Sequence, residues 1–357
     1  MSGENLWYSK PARALCEASL QQARARQQQL TKPSGALGQL ESLAIHIAGL
    51  QANASPHIGK ASIDIFAADH GVAVEGVSAY PQAVTAEMIR NFARGGAAIS
   101  VLAREQGLPM AVHNLGTVAD LEDLPLVTHY RLGKGTANFL HEPAMTCEAL
   151  QQALAVGQQV ALQRAADGID LTIAGEMGIG NTTSASALAC TLSGFPAEIL
   201  VGPGTGLNAV GISRKITVVE QALAFHQLSG QSPLAQLQAI GGFEIAAITG
   251  FFISCAQQGM VVLVDGFICS VAAQLAMRIN PSVRPWLLLS HLSAEPGHSI
   301  VAEDFIFKPL LNIGLRLGEG SGAALALPLV KLACQLHTGM ATFAEAAVST
   351  ASNDLTS

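Results

Sequence analysis

The stretch GEMGIGNTT, residues 175–183, combines residue types that can hold an anion and do chemistry beside it. It follows a short apolar, strand-like run (171–174) and opens a helix-like run (184–192). Glycines in such a turn bring main-chain N–H groups close to a ligand, and a helix N-terminus adds about half a positive charge. No Lys or Arg occurs from 171 to 213, so this is not the lysine-bearing nucleotide loop GxxxxGK[ST]. A phosphate here would be held by the main chain of Gly175, Gly178, Ile179, Gly180 and Asn181 and by the hydroxyls of Thr182 and Thr183. Glu176 is out of place in an anion cradle, because its carboxylate repels phosphate, and that points to a chemical task.

Three further stretches carry polar groups of the same kind. GPGTG offers Gly202, Gly204, Thr205 and Gly206, either as the other wall of the same phosphate site or as a tight turn capping the next helix. Arg214 and Lys215 are the first cations after the cradle; Lys215 can meet a carboxylate or phosphate, though a solvated lysine is the common case. In LGEGSG (317–322) the glycines beside Glu319 clear space for a ligand, so this carboxylate in apolar surroundings reads either as a tuned general base or as an acceptor of N–H groups at a helix start. Residues 69–85, DHGVAVEGVSAYPQAVT, make a long connection in which Ser78, Tyr80 and Gln82 suit a flat heteroaromatic ligand or simply a surface loop. His70, His113 and His291, with Asp69 and Asp265, invite a metal-dependent hydrolase using His70, Asp265 and His291, but HExxH, HxH and cysteine-pair spacings are all absent. Gly178-x-Gly180 meets Thr183 where a dinucleotide loop needs Gly or Ala, which weakens that reading. A non-catalytic nucleotide sensor is the third alternative.

The elements that must position these residues follow from periodicity. Apolar strand-like runs at 61–67, 109–114, 170–174, 260–264 and 285–289 each end in a polar or glycine signal, and helical patterns lie at 83–105, 146–167, 181–193, 207–228, 243–258 and 266–279. This alternation predicts an α/β, doubly wound, mostly parallel sheet whose strand ends gather the signals on one edge. Residues 10–52 are helical in pattern and broken at Pro33-Ser34-Gly35, and 311–346 return to helix; together the two ends predict a smaller helical domain (1–59 plus 311–357) beside an α/β domain of 60–310. The Ser/Thr-rich tail, 348–357, is expected to fray.

The 357 residues are 50% hydrophobic and 13% charged, enough apolar chain for a large core. A net charge of −7 argues against nucleic acid or an anionic membrane as partner. The most apolar region, 245–277, is interrupted by Gln257, Gln258 and Asp265, short of the ~18 residues a membrane span needs. The N-terminus shows no apolar signal core, and six scattered cysteines without a CxxC pair read as reduced thiols, so a cytoplasmic protein is expected.

Taken in order, DHGV…GVSAYPQAVT, GEMGIGNTT, VGPGTGL, GGFEIAAITGF, VDGF, SHLSAEPGH and RLGEGSGAAL resemble the nicotinate-nucleotide–dimethylbenzimidazole phosphoribosyltransferase family, over about residues 64–330. The resemblance implies transfer of the 5-phosphoribosyl group of nicotinate mononucleotide to 5,6-dimethylbenzimidazole, giving α-ribazole 5′-phosphate and nicotinate in cobalamin nucleotide-loop assembly. It also implies a homodimer. Glu319 matches the family's general base, and Glu176 lies where it would stabilise a cationic sugar. Ser78, Tyr80, Gln82 and Leu317 would line the benzimidazole slot, while Lys215 and Ser293 would orient the nicotinate carboxylate. The pyridinium leaves neutral and no pyrophosphate departs, so neither cofactor nor metal is expected, and attack from the opposite face inverts C1′.

Overall fold

A computed structural model describes residues 6–349. The tail expectation therefore lies, from residue 350 on, outside the described residues. Among them, six strands form one sheet: β1 (Ala61–Ala68), β2 (Met110–Gly116), β3 (Val127–His129), β4 (Leu171–Met177), β5 (Val261–Val264) and β6 (Leu287–Leu289). The order is β3-β2-β1-β4-β5-β6, and every pairing is parallel. The chain runs outward from β1 in one direction and from β4 in the other. Right-handed crossovers then place the connecting helices of the two halves on opposite faces and leave a crevice at the β1/β4 boundary, on the strands' C-terminal edge.

Local sequence explains most elements and two departures. β1 is buried along its whole length, as strands covered on both faces must be. Its one charge, Asp64, is taken up by Arg164 at 2.7 and 2.9 Å and by His113 at 2.9 Å. Burial opposes ionisation of Asp64, but the His113 and Arg164 hydrogen bonds outweigh it and hold the carboxyl below its usual range. The helix-like run at 83–105 is two helices, Ala83–Arg94 and Ala98–Glu105, because the left-handed Gly95 (φ +81°) ends the first. β3 has no counterpart in the sequence reading: it is three residues long and only partly buried, so it lacks an apolar run.

The described chain divides into two units, residues 6–13 with 60–326, and 14–59 with 327–349. Residues 311–326, which the sequence pattern assigns to the helical ends, belong to the sheet unit. Asp265 at the end of β5 accepts hydrogen bonds from Gly320 and Ala323 in that segment. The second unit contains helices Glu17–Gln29 and Gln39–Leu50, and in it His337 bonds Gln27 and Ala54. No helix among the described residues is long and apolar enough to cross a membrane.

Helix Phe243–Gln258 fills the sheet unit's core, packing on β1, β4 and β5 and against helix Cys147–Ala166. The two helices meet through glycine: a Cβ on Gly157 would lie 1.9 Å from the Ala247 carbonyl oxygen and 2.5 Å from the Phe251 nitrogen. Backbone cannot yield as a side-chain tip can. Gly157→Ala is expected to force the helices apart and lower Tm by about 2–6 °C, read by calorimetry.

Candidate active site

A cavity of about 740 Å³ opens at the crevice. Its walls come from the loop after β1, the end of β4 with the following helix start, the end of β5, the loop after β6 and residues 314–319. β4 runs through Gly175 and Glu176 before the chain turns at Gly178 into helix Asn181–Ser193.

Two glutamates form the polar centre. Glu176 is 6% exposed and accepts a hydrogen bond from the Asn181 amide. Burial first, then the charges of Asp265 and Glu244, push its carboxyl up to about 8. Glu319 is 7% exposed and sits in the left-handed region (φ +64°), a costly conformation for a residue with a side chain. Its Oε2 has no hydrogen-bond partner among the described residues. Burial, followed by the Asp265 charge, pushes Glu319 up to about 7. A group with these properties can exchange a proton near neutral pH.

Both folded-state values lie above the unfolded carboxyl range of roughly 4.3. The stabilising contribution of the pair is therefore complete below that range. It is lost as pH rises through about 7 for Glu319 and about 8 for Glu176.

Of the residues singled out in sequence, Tyr80, Glu176, Gly178, Ile179, Asn181, Thr182, Gly204, Thr205, Ser293, Leu317 and Glu319 all line the cavity. Others do not line it. Gly175 faces no ligand space: a Cβ there would meet the Glu319 carbonyl oxygen at 2.3 Å, so this glycine lets the Glu319 backbone lie against β4. Gly180 packs on His70 and Ala73, the Thr183 side chain is fully buried, and Gly202 is backed by Glu295 and Pro296. Gly206 closes a turn on Pro203. Ser78 braces Thr205 through its hydroxyl at 3.1 Å, and Gln82 donates to the His70 carbonyl at 2.7 Å.

The cradle differs from the sequence picture in two respects. Several main-chain amides of the cradle are already engaged: Ile179 donates to Thr85 Oγ1, Asn181 to the Gly178 carbonyl, Thr183 to the Gly180 carbonyl and Gly204 to Glu295. Lys215 is also not solvated. It is fully buried, with Nζ donating to Thr182 Oγ1 at 2.8 Å and the Gly202 carbonyl at 3.4 Å. Burial lowers it to about 8, with Glu295 opposing the shift. A cation thus stands behind the cradle, supplied from a helix more than thirty residues away in sequence.

The three residues of the hydrolase alternative are not brought together. His291 and Asp265 line the cavity, but His70 is fully buried and bonded to Glu244 at 2.6 Å and Ser184 at 3.0 Å. Both Asp265 oxygens accept main-chain N–H groups. Sequence reasoning did not single out Met88, Met177, Phe267 and Arg316, which also line the cavity. Glu295 sits in the quoted stretch SHLSAEPGH without an assigned role, and its capping of Gly204 becomes visible only in three dimensions.

A family model described as phosphoribosyltransferase matches residues 13–348. The nicotinate-nucleotide–dimethylbenzimidazole phosphoribosyltransferase of Pseudomonas savastanoi pv. phaseolicola (strain 1448A / Race 6) is 59% identical over 344 residues, 96% of this chain and 98% of its own. The enzyme of the same name from Pseudomonas putida (strain W619) is 58% identical over 342 residues, 96% of this chain and 97% of its own. Among solved structures, CobT from Thermus thermophilus superposes with a TM-score of 0.90 at 44% identity, covering 94% of this chain and 100% of that one.

Proposed function

Because the chain belongs to the nicotinate-nucleotide–dimethylbenzimidazole phosphoribosyltransferase family, we propose that it moves the 5-phosphoribosyl group of nicotinate mononucleotide onto 5,6-dimethylbenzimidazole. The products are α-ribazole 5′-phosphate and nicotinate. The observation that carries the mechanism is the pair of buried glutamates, Glu176 and Glu319, held in one cavity and both raised toward neutral pH.

One acceptor nitrogen forms the new bond to C1′ while the bond from C1′ to the pyridinium nitrogen breaks. The bonding pair stays with nicotinate, which needs no proton to leave. Positive charge grows on the azole, and Glu319 takes the proton from its other nitrogen. The unpartnered Oε2 makes this carboxylate ready to accept, and a positioned base is worth roughly 100- to 10,000-fold in rate. Glu176 provides negative charge for the cationic donor and the developing sugar cation, since a cation alongside favours its ionised form. Asn181 fixes its orientation.

Thr182, Gly204 and Thr205 face the donor phosphate in this reading, with Lys215 supplying positive charge from behind. Tyr80 and Leu317 flank the benzimidazole, and Ser293 orients the nicotinate. Ser78, Gln82, Gly175, Gly180, Thr183, Gly202 and Gly206 shape the walls these groups stand on. We further propose a cytoplasmic homodimer, as the family resemblance implies and in keeping with six unbridged cysteines. Incubating the protein with nicotinate mononucleotide and dimethylbenzimidazole tests the function. α-Ribazole 5′-phosphate and nicotinate in equal amounts are expected, and donor binding without nicotinate release would refute it.

The reaction should also report its base. Glu319 acts only when deprotonated, so kcat/KM, which reports the free enzyme, is expected to rise with pH to a plateau with its midpoint at about 7. A kcat/KM profile that is level from acid to alkaline pH would contradict the assignment.

A further inference from the structure

We propose that Asp265 is a positioning residue for this transfer, holding Glu319 over the cavity from the end of β5. The inference rests on the phosphoribosyl-transfer reading, and neither family resemblance nor the sequence assigns Asp265 this part. Asp265 is 1% exposed, and its two oxygens are divided between two main-chain donors of the Glu319 segment. Oδ2 accepts from Gly320 N at 3.1 Å and Oδ1 from Ala323 N at 2.9 Å. These N–H groups belong to the start of helix Ser321–Gly339, where a carboxylate is favoured by the unpaired amides and the helix dipole. The cap is supplied from a strand 55 residues away, so the helix start and the loop before it are fixed to the sheet.

Glu319 lies immediately before this cap. Its positive φ is a conformation that persists only where surroundings enforce it. Two contacts enforce it: Gly175 leaves room for the Glu319 backbone on β4, and Asp265 ties down the next residue. Asp265 also acts through space. The ionisable groups around this cluster are Glu176 at the end of β4, Glu244 from helix Phe243–Gln258, His291 after β6 with Nδ1 3.7 Å from Asp265 Oδ1, Cys269 from helix Phe267–Ile279, and Arg316 on the loop itself. The Asp265 charge is the leading electrostatic influence on both glutamates after burial. Its removal therefore favours their ionised forms at lower pH.

Asp265→Asn separates positioning from bulk stability. The amide keeps the side chain's shape, but its NH₂ group must confront one of the two main-chain N–H donors. We expect kcat to drop at least ~10-fold, donor KM to stay within ~3-fold, and the acid limb of the kcat/KM–pH profile to move down by ~1 pH unit. Asp265→Glu, which keeps the charge but displaces it, should lower kcat while leaving the limb where it was. Carbon-detected titration of a ¹³C-labelled Glu319 carboxyl in the intact wild-type and Asp265→Asn proteins needs no turnover. It should show the same downward shift. Wild-type product formation tests the transfer reading separately. Unchanged kcat in Asp265→Asn, or an unmoved Glu319 titration, would overturn the role given to Asp265. Should Asp265→Asn fail to fold, an Asp265→Glu enzyme with wild-type kcat would do the same.

Discussion

Glu319→Gln is expected to cut kcat by at least ~100-fold while donor KM stays close to wild type. Glutamine keeps the length and hydrogen-bonding shape of the side chain but cannot take a proton. The lost contribution therefore belongs to the step in which the azole N–H is removed, which is a transition-state interaction and lowers kcat and kcat/KM together. Donor binding should be spared, because the groups that hold the donor in this reading, Thr182, Gly204 and buried Lys215, belong to other segments of the chain than the 314–319 wall. Folding should be spared as well. Glu319 Oε2 makes no hydrogen bond among the described residues, so no partner is orphaned. Steady-state kinetics with both substrates varied, alongside a thermal melt, checks the three statements at once. Near-normal turnover would remove Glu319 from the reaction.

Gly175→Ala is expected to damage catalysis almost as much, through geometry. Gly175 pairs with Ile65 in the middle of the parallel sheet, where alanine's backbone preferences are satisfied. The difficulty is contact. The added methyl would lie 2.3 Å from the Glu319 carbonyl oxygen, 2.5 Å from its carbonyl carbon and 2.9 Å from Gly320 N. All three are backbone atoms, so the whole segment carrying the base must move. A displacement of about 1 Å costs on the order of 100-fold in a reaction that depends on alignment. The same variant separates two roles for this glycine. A backbone grip on phosphate would raise donor KM at constant kcat, whereas support of Glu319 lowers kcat at nearly constant KM. We expect the second pattern, measured by the same kinetics.

These two residues show what could be read from sequence and what could not. Helix Asn181–Ser193 and the end of β4 follow from an apolar run, a glycine turn and small helix-forming residues, all local signals. Glu176 and Glu319 stood out because each is a lone carboxylate among glycines and apolar residues, surroundings that leave it short of compensating partners. The remainder depends on contacts between distant parts of the chain. Lys215 looks solvated in sequence because a helical pattern does not show that Thr182 and Gly202 close over its Nζ. Gly175 looks like part of a phosphate loop because sequence does not show the Glu319 backbone lying on it. Asp265 looks like a metal ligand at a strand end until its two bonds to the Gly320–Ala323 turn are seen. β3 was invisible for a different reason: with three half-exposed residues it has no periodicity to read.

The central claim is that the azole attacks C1′ from the face opposite the departing nicotinate while Glu319 removes its proton. The anomeric configuration of the ribosyl product, read by ¹H NMR of the purified nucleotide made from β-nicotinate mononucleotide, tests it most directly. The mechanism gives the α anomer alone. A β product, which requires either front-face attack or two successive displacements through a sugar-bound intermediate, would contradict it.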